Sequence, residues 1–441
     1  MVVKARVQPS LPPGPRGHWL RGNAPHYEAD RIGFLQRNVR DYGDVFSFNE
    51  NTTVVNDPAL VHEILGRTNT DFLAEDAMFA GAGDPEATAA EAASWMAARR
   101  KGWRGFNRTV ATAHAGRMMR LLDDLTDGTG GRRVDVLDLM ARASGCMVAD
   151  YCFGADGSGI VATIEANVAA ALPIMSSGRL LPRWLPAARN RRFLAARRAT
   201  AALIDDLIAR RRSRPVPEAP RDLLDVLLAA REPELSHEQV RDVLRVTLVA
   251  SYGVPGAAIA WAVRELVIQQ DVRRRVKEEA CAWEGRDDPP EITELPYTQA
   301  VVKELLRAYT PTWLMGRTAR REVQVGSWSL PPGHQIMFSP YLIHRDPRWW
   351  PEPDRVDPGR WLGTESPHAR HTYLPFGAGP RVCLGTQLGM LQLTLAISRL
   401  VRRYRFDVAD PANRPASPSA LLKPEGLRAR FVPREAEDRL R

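Results

Sequence analysis

Residues 376–385 read Phe376-Gly377-Ala378-Gly379-Pro380-Arg381-Val382-Cys383-Leu384-Gly385. The stretch is suited to holding one cysteine sulfur in a fixed place. Gly377 and Gly379 allow backbone angles that a Cβ would forbid. Pro380 fixes its own φ and removes a donor. Beyond Cys383, Leu384, Leu388, Leu391 and Leu395 recur at helical spacing, which predicts a helix beginning just after the cysteine. The partial positive charge and free N–H groups of a helix N-terminus favour a thiolate over a thiol. Arg381, two residues earlier, adds positive charge or a partner for an anionic group. A thiolate in a glycine-rich loop is either a nucleophile or a soft metal ligand. The bland alternative is a buried cysteine in a capping turn.

Working outward, the 441 residues have room for two or three average domains or one large one, and nothing marks a linker. Hydrophobic residues at 44% and charged residues at 26% are the proportions of a soluble globular protein. No run of about 18 apolar residues predicts a membrane span, and the basic, Pro-rich residues 1–16 lack an apolar signal core. These features predict a cytoplasmic protein. Cys146, Cys152, Cys281 and Cys383 show neither a disulfide framework nor paired metal-site spacing. The net charge of +9 is spread along helical segments without a nucleic-acid-binding motif, so nucleic acid is not expected as a partner. A basic face that docks an acidic protein accounts for the excess as well.

Residues 1–26 form a Pro-rich extended leading segment, followed by an amphipathic stretch over about 27–41. Residues 45–48 and 52–55 alternate around Asn49-Glu50-Asn51 and predict a β-hairpin. Asp57-Pro58 starts a helix with an acidic N-cap and a proline in its first turn. Residues 66–93, rich in Gly, Ala, Asp and Thr, read as a long loop. A helix then begins near Ser94 and carries Trp95 and Arg99 on one face. Helices continue to Gly154 with a break at 128–131, and two more cover 158–177 and 188–213, the second strongly basic. Ser236 and Gln239 form a capping-box pattern at the start of a long apolar helix to about Gln270. Glu304 and Arg307 lie at i and i+3 on one helix face. Residues 433–441 read as a charged tail.

The run 376–385 resembles the cysteine loop of the cytochrome P450 family, with every fixed position of that pattern filled. The likeness extends from about residue 12 to 432. It implies a mainly α, single-domain fold over 1–441, with a long central helix over a haem and a small β-rich lobe. It implies haem b as cofactor, bound between that helix and the cysteine loop. By the same resemblance Cys383 is the axial thiolate of the haem iron, which pushes electron density to the metal and favours O–O cleavage. Phe376 would pack beside the sulfur. Trp95, Arg99, Arg317 and Arg381 would meet the haem propionates. Glu304, Arg307 and Arg360 would form a buried charge network, because buried charges must be paired. His344, in His344-Arg345-Asp346-Pro347, matches a further family stretch and reads as structural. The family also implies an oxidoreductase, ordinarily a monooxygenase, acting on a hydrophobic small molecule. A soluble bacterial-type member suits specialised-metabolite biosynthesis. Its electrons would come from an acidic, ferredoxin-like partner docked on Arg100, Lys101, Arg104, Arg108, Arg399, Arg402 and Arg403.

One stretch departs from the family. Its long helix carries Ala/Gly-Gly-x-acid-Thr over the iron. With Trp261 and Val263-Arg264-Glu265-Leu266 fixing the register, the matching residues are Ala250, Ser251, Tyr252, Gly253, Val254 and Pro255. Gly253 stands at the acid position and Val254 at the alcohol position. Cleaving O2 needs two protons delivered to the outer oxygen, and Val254 can neither donate nor accept one. Pro255 removes an N–H from the helix ladder, which predicts a kink and a freed carbonyl near Ser251. Three enzyme readings stay open. The substrate or an ordered water supplies the missing hydroxyl of a monooxygenase; peroxide is used directly; or the substrate brings its own N–O or O–O bond for a cyclisation, rearrangement or group transfer. The loss of acid and alcohol together favours the last. A haem sensor or carrier without turnover is a further class, and it would need neither the thiolate nor a roofed cavity.

Overall fold

The computed structural model describes residues 11–18, 21–74, 85–177, 188–215, 217–229, 235–283, 294–411 and 421–434. The chain divides into two compact units. Unit 1 comprises Met1–Asp76, Thr312–Arg355 and His368–Cys383; unit 2 comprises Ala77–Pro311, Val356–Pro367 and Leu384–Arg441. Helices and strands are numbered along the whole chain.

Unit 1 is the β-rich part. It opens with α1 (Ala24–Ala29), so helix begins inside the segment expected to be extended. The Asp30 carboxylate then accepts from Gly33 N–H at 2.9 Å and starts α2 (Arg31–Tyr42). The expected hairpin forms from β1 (Val45–Asn49) and β2 (Thr52–Val55). Asp57 caps α3 (Pro58–Gly66) by accepting from Leu60 N–H at 2.8 Å. With β3 (Phe72–Leu73), β5 (Met315–Ala319) and β8 (Gln335–Phe338), the hairpin builds a five-stranded sheet ordered β1-β2-β8-β5-β3. β2 and β8 run parallel and the other pairs antiparallel. A hairpin of β6 (Val323–Val325) and β7 (Trp328–Leu330) and the short α14 (Pro340–Ile343) complete the unit. Its core packs Val61, Ile64 and Leu65 of α3 against Phe72, Ile336, Phe338 and Leu374.

Unit 2 is helical, apart from a three-stranded sheet of β4 (Val134–Asp135), β9 (Tyr404–Val408) and β10 (Arg428–Pro433). Its helices are α4 (Pro85–Gly102), α5 (Arg108–Ala113), α6 (Ala115–Asp127), α7 (Val136–Phe153), α8 (Val161–Ser177), α9 (Ala188–Arg212), α10 (Leu223–Leu228), α11 (His237–Ile268), α12 (Gln270–Ala282), α13 (Pro296–Ala308) and α15 (Thr386–Arg403). The stretch 66–93 is not one loop: β3 interrupts it and α4 begins at Pro85, while 75–84 lie outside the described residues. Pro85 suits a first helical turn and the alanines after it are strong helix formers.

α11 is the axis of unit 2. Ser236 and Gln239 make the expected capping box. The helix lies close against α7: a Cβ on Gly256 would sit 2.6 Å from Ala141 Cα, and the Tyr252 ring covers Gly145. Trp261 is fully buried, stacks on Tyr309 at 4.2 Å and donates its indole N–H to the Leu422 carbonyl at 3.2 Å. By length and composition α11 could cross a membrane, with a mean hydropathy of 1.6 over 18 residues, but 67% of that window is buried. It is a core helix.

Among the charge clusters of unit 2, two bear on the expected charge network and docking surface. Glu304 and Arg307 are fully buried, with Arg307 donating to both carboxylate oxygens at 2.8 and 3.0 Å. Asp357 N–H and Trp361 Nε1–H also donate to Glu304, each at 2.9 Å, and Arg360 lies 3.4 Å from it. The expected trio therefore forms and its carboxylate is satisfied from four sides. The second cluster corrects the docking surface: Arg399 and Arg403 both reach Asp123 at 2.6 Å, and Arg403 also reaches Asp127 at 3.0 Å. Their charges are neutralised by α6, so they do not add to a basic face.

Candidate functional site

The cysteine loop is shaped by backbone contacts within unit 1. Gly377 and Gly379 both take φ +69°, the left-handed region that a Cβ disfavours. At Gly379 the space is closed as well, since a Cβ there would lie 2.2 Å from the Leu65 carbonyl oxygen of α3. Cys383 N–H donates to the Phe376 carbonyl at 2.8 Å, and Gly377 N–H to the Leu374 carbonyl at 3.1 Å. Three residues after Cys383, α15 begins at Thr386, as the leucine spacing predicts. Of the four cysteines, Cys383 is exposed and Cys152 is buried. Burial pushes the Cys146 thiol up and the Cys152 thiol far up, so neither is a thiolate at neutral pH.

The predicted arginines of unit 1 come together on one turn. Arg317, 5% exposed on β5, donates from Nε to Thr68 Oγ1 at 3.0 Å. Arg381 donates from Nε to Asn69 Oδ1 at 3.3 Å. Thr68 and Asn69 follow α3, and Asn69 takes φ +77° to make the turn. No periodic or motif signal in the sequence marks Thr68 and Asn69 as partners of residues some 250 and 310 positions away.

In unit 2, Trp95 and Arg99 are both buried on α4, one turn apart, with the Arg99 guanidinium 5.7 Å from the exposed Trp103 ring. α11 carries the other predicted site residues and changes character there. Residues 243–248 and 256–263 are buried, but between them Ala250 is exposed and Ser251, Gly253, Val254 and Pro255 are half-buried. The result is an accessible window of small residues on an otherwise buried helix. A Cβ on Gly253 would meet the Leu421 methyl at 3.4 Å and nothing nearer. Pro255 lies inside the helix without ending it. Thr247 commits its hydroxyl to the Val243 carbonyl at 2.7 Å. Tyr252 faces α7, and burial, with Glu165 nearby, pushes its phenol up to about 12. The window therefore offers one hydroxyl, Ser251, and no acidic group.

The sequence profile of the cytochrome P450 family matches residues 12–431. The chain belongs to the cytochrome P450 family. Cyclooctatin synthase of Streptomyces melanosporofaciens is 42% identical over 117 residues, 26% of this chain and 26% of that protein. A probable cytochrome P450 4s3 of Drosophila melanogaster is 36% identical over 181 residues, 41% of this chain and 36% of that protein. The matched stretches thus span about a quarter to a third of these curated relatives. The retinoic acid bound cyanobacterial CYP120A1 superposes with TM-score 0.80 at 19% identity, covering 97% of this chain and 100% of that one, a likeness of fold. This cytochrome P450 is an enzyme with homologues in specialised-metabolite biosynthesis, and its cofactor is haem b. Enzymes of the family usually draw on redox partners and bind hydrophobic substrates. The residues present fit that cofactor. Cys383 is an exposed soft donor, and the loop that carries it is closed to a side chain at Gly379.

Proposed function

We propose that the enzyme transforms a hydrophobic small molecule in specialised-metabolite biosynthesis by an atypical reaction: a cyclisation, rearrangement or group transfer from a substrate that bears its own N–O or O–O bond. Cys383 is the axial ligand and Phe376 lies beside its sulfur. Arg317, Arg381, Trp95 and Arg99 are assigned to the propionates. When bound, thiolate-ligated haem supplies the electron density that weakens an O–O bond. The observation that carries the reading is the α11 window. Gly253 and Val254 occupy the register of the family's acid and alcohol, Thr247 donates into its own helix, and the Tyr252 ring is buried against Gly145 of α7. Nothing in that stretch except Ser251 can pass a proton.

The reading is tested by turnover of the native substrate with and without O2 and an electron donor. Product without O2, and no gain from Gly253→Asp combined with Val254→Thr, is the expected result, since the pair adds polar groups that a relay-free site leaves unpaired. Strict dependence on O2, with electron consumption matching product, would establish a conventional monooxygenase instead. One feature favours that second reading: Pro255 has no N–H for the Ser251 carbonyl, which leaves an acceptor for a water inside the window. The electron donor is proposed to be an acidic, ferredoxin-like protein, docked on charges that include Arg100 and Arg108, both exposed. Its reduction rate should fall steeply between low and physiological salt; a flat salt profile would remove that partner.

A further inference from the structure

His344 lies 39 residues before the cysteine and outside its loop, yet hydrogen bonds lead from its ring towards Cys383. The ring is fully buried, beside the rings of Trp350 and Tyr373. Leu374 N–H donates to His344 Nε2 at 2.7 Å. The ring nitrogen facing that N–H must carry a lone pair, so the imidazole is held with Nε2 unprotonated. Leu374 is followed by Pro375, which restricts it to an extended backbone and takes its amide out of regular structure. A buried amide there needs an acceptor from elsewhere, and His344 is that acceptor. The Leu374 carbonyl accepts from Gly377 N–H at 3.1 Å, and the Phe376 carbonyl accepts from Cys383 N–H at 2.8 Å. The Leu374 side chain is buried in the core with Ile343, the neighbour of His344.

We propose that His344 is a positioning residue for the thiolate: by accepting the Leu374 amide it fixes the base of the cysteine loop and so keeps the Cys383 sulfur on the iron. The inference rests on Cys383 being the axial ligand. It differs from a general packing role, because it requires an acceptor atom at the Nε2 position and not merely a ring of that size. Gln can place its Oε1 near that position, whereas Asn is one bond too short and Leu has no acceptor.

The test uses the haem-loaded full-length protein. The ferrous–CO spectrum reports the ratio of thiolate-ligated to thiolate-free haem, and hydrogen exchange reports the amides of residues 374–383. In His344→Asn and His344→Leu the thiolate-ligated ratio should fall roughly tenfold and exchange at 374–383 should quicken by a similar factor, the effect of leaving one buried amide unsatisfied. His344→Gln should restore both. If the Leu variant does not fold, the Gln and Asn variants, close in size and polarity, still decide the matter. Asn and Leu variants indistinguishable from wild type would overturn the inference, as would a Gln variant as impaired as Asn. Cys383→Ser is the control: if it keeps the thiolate band, the ligand assignment fails and this inference falls with it. If it loses the band while the Asn variant keeps it, the ligand stands and only the role of His344 is lost.

Discussion

In the cysteine loop both glycines are pinned, while in the middle of α11 the glycine is loose. Gly379 combines φ +69° with a carbonyl oxygen 2.2 Å from where a Cβ would be. Gly253 has ordinary helical geometry and a single methyl at 3.4 Å. The loop is also tied through its amides, from His344 to Leu374 and from Phe376 to Cys383. The α11 window is held by the backbone bonds of its own helix, and its side chains are small and nearly all apolar. One region is specified by geometry that few residues satisfy, the other by the absence of bulk and charge.

The sharpest way to break this comparison is at the sulfur. Cys383→Ser should abolish the red-shifted ferrous–CO band and most activity, since a serine hydroxyl cannot supply a thiolate's charge; a normal band would end the assignment. Next comes a matched pair of glycine substitutions, followed by urea unfolding. Gly379→Ala should cost about 2 kcal/mol or more, from strained φ and a backbone clash. Gly253→Ala should be neutral or stabilise by about 0.5 kcal/mol, because alanine is the better helix former. Equal effects at the two positions would erase the distinction. The smallest effect concerns the sheet of unit 1. His334 is buried against Thr53, at 2.8 Å, and burial lowers its pKa below the ordinary histidine value. Its folded state stays neutral while the unfolded chain takes up a proton near pH 6.5, so stability present above that pH is lost as pH falls below it. The urea midpoint should decline from pH 7 to pH 5, and the decline should flatten in His334→Gln. An unchanged slope would show that this ring does not titrate in unfolding.

Local chemistry was legible in the sequence. Asp57, Ser236 and Gln239 cap helices where their types and spacing predict, and the cysteine loop ends where α15 starts. What escaped was of two kinds. The glycines and aspartates before Pro85 dominate a wide window and hide the alanine-rich start of α4. The other misses are pairings across long separations. Arg399 and Arg403 read as exposed cations until Asp123 and Asp127 appear beside them, 276 residues earlier. His344 was legible as a residue type at a familiar spacing, but its partner is a backbone amide, which carries no side-chain signature. The Glu304 trio was foreseen only because a family pattern supplied the pairing that i, i+3 spacing leaves undetermined.

α11 has a consequence for how the chain is made. On the ribosome it emerges as 32 residues whose central window is apolar enough to be taken for a membrane span. What removes that hazard is α7, against which Tyr252 and Gly256 close-pack. α7 ends at Phe153 and α11 begins at His237, so the covering surface has left the exit tunnel before the sticky helix appears. The order of synthesis thus provides a waiting partner. A circular permutant that begins between the two helices would reverse the order, making α11 wait for α7, and should pay in misdirected or aggregated product while keeping every contact of the finished fold.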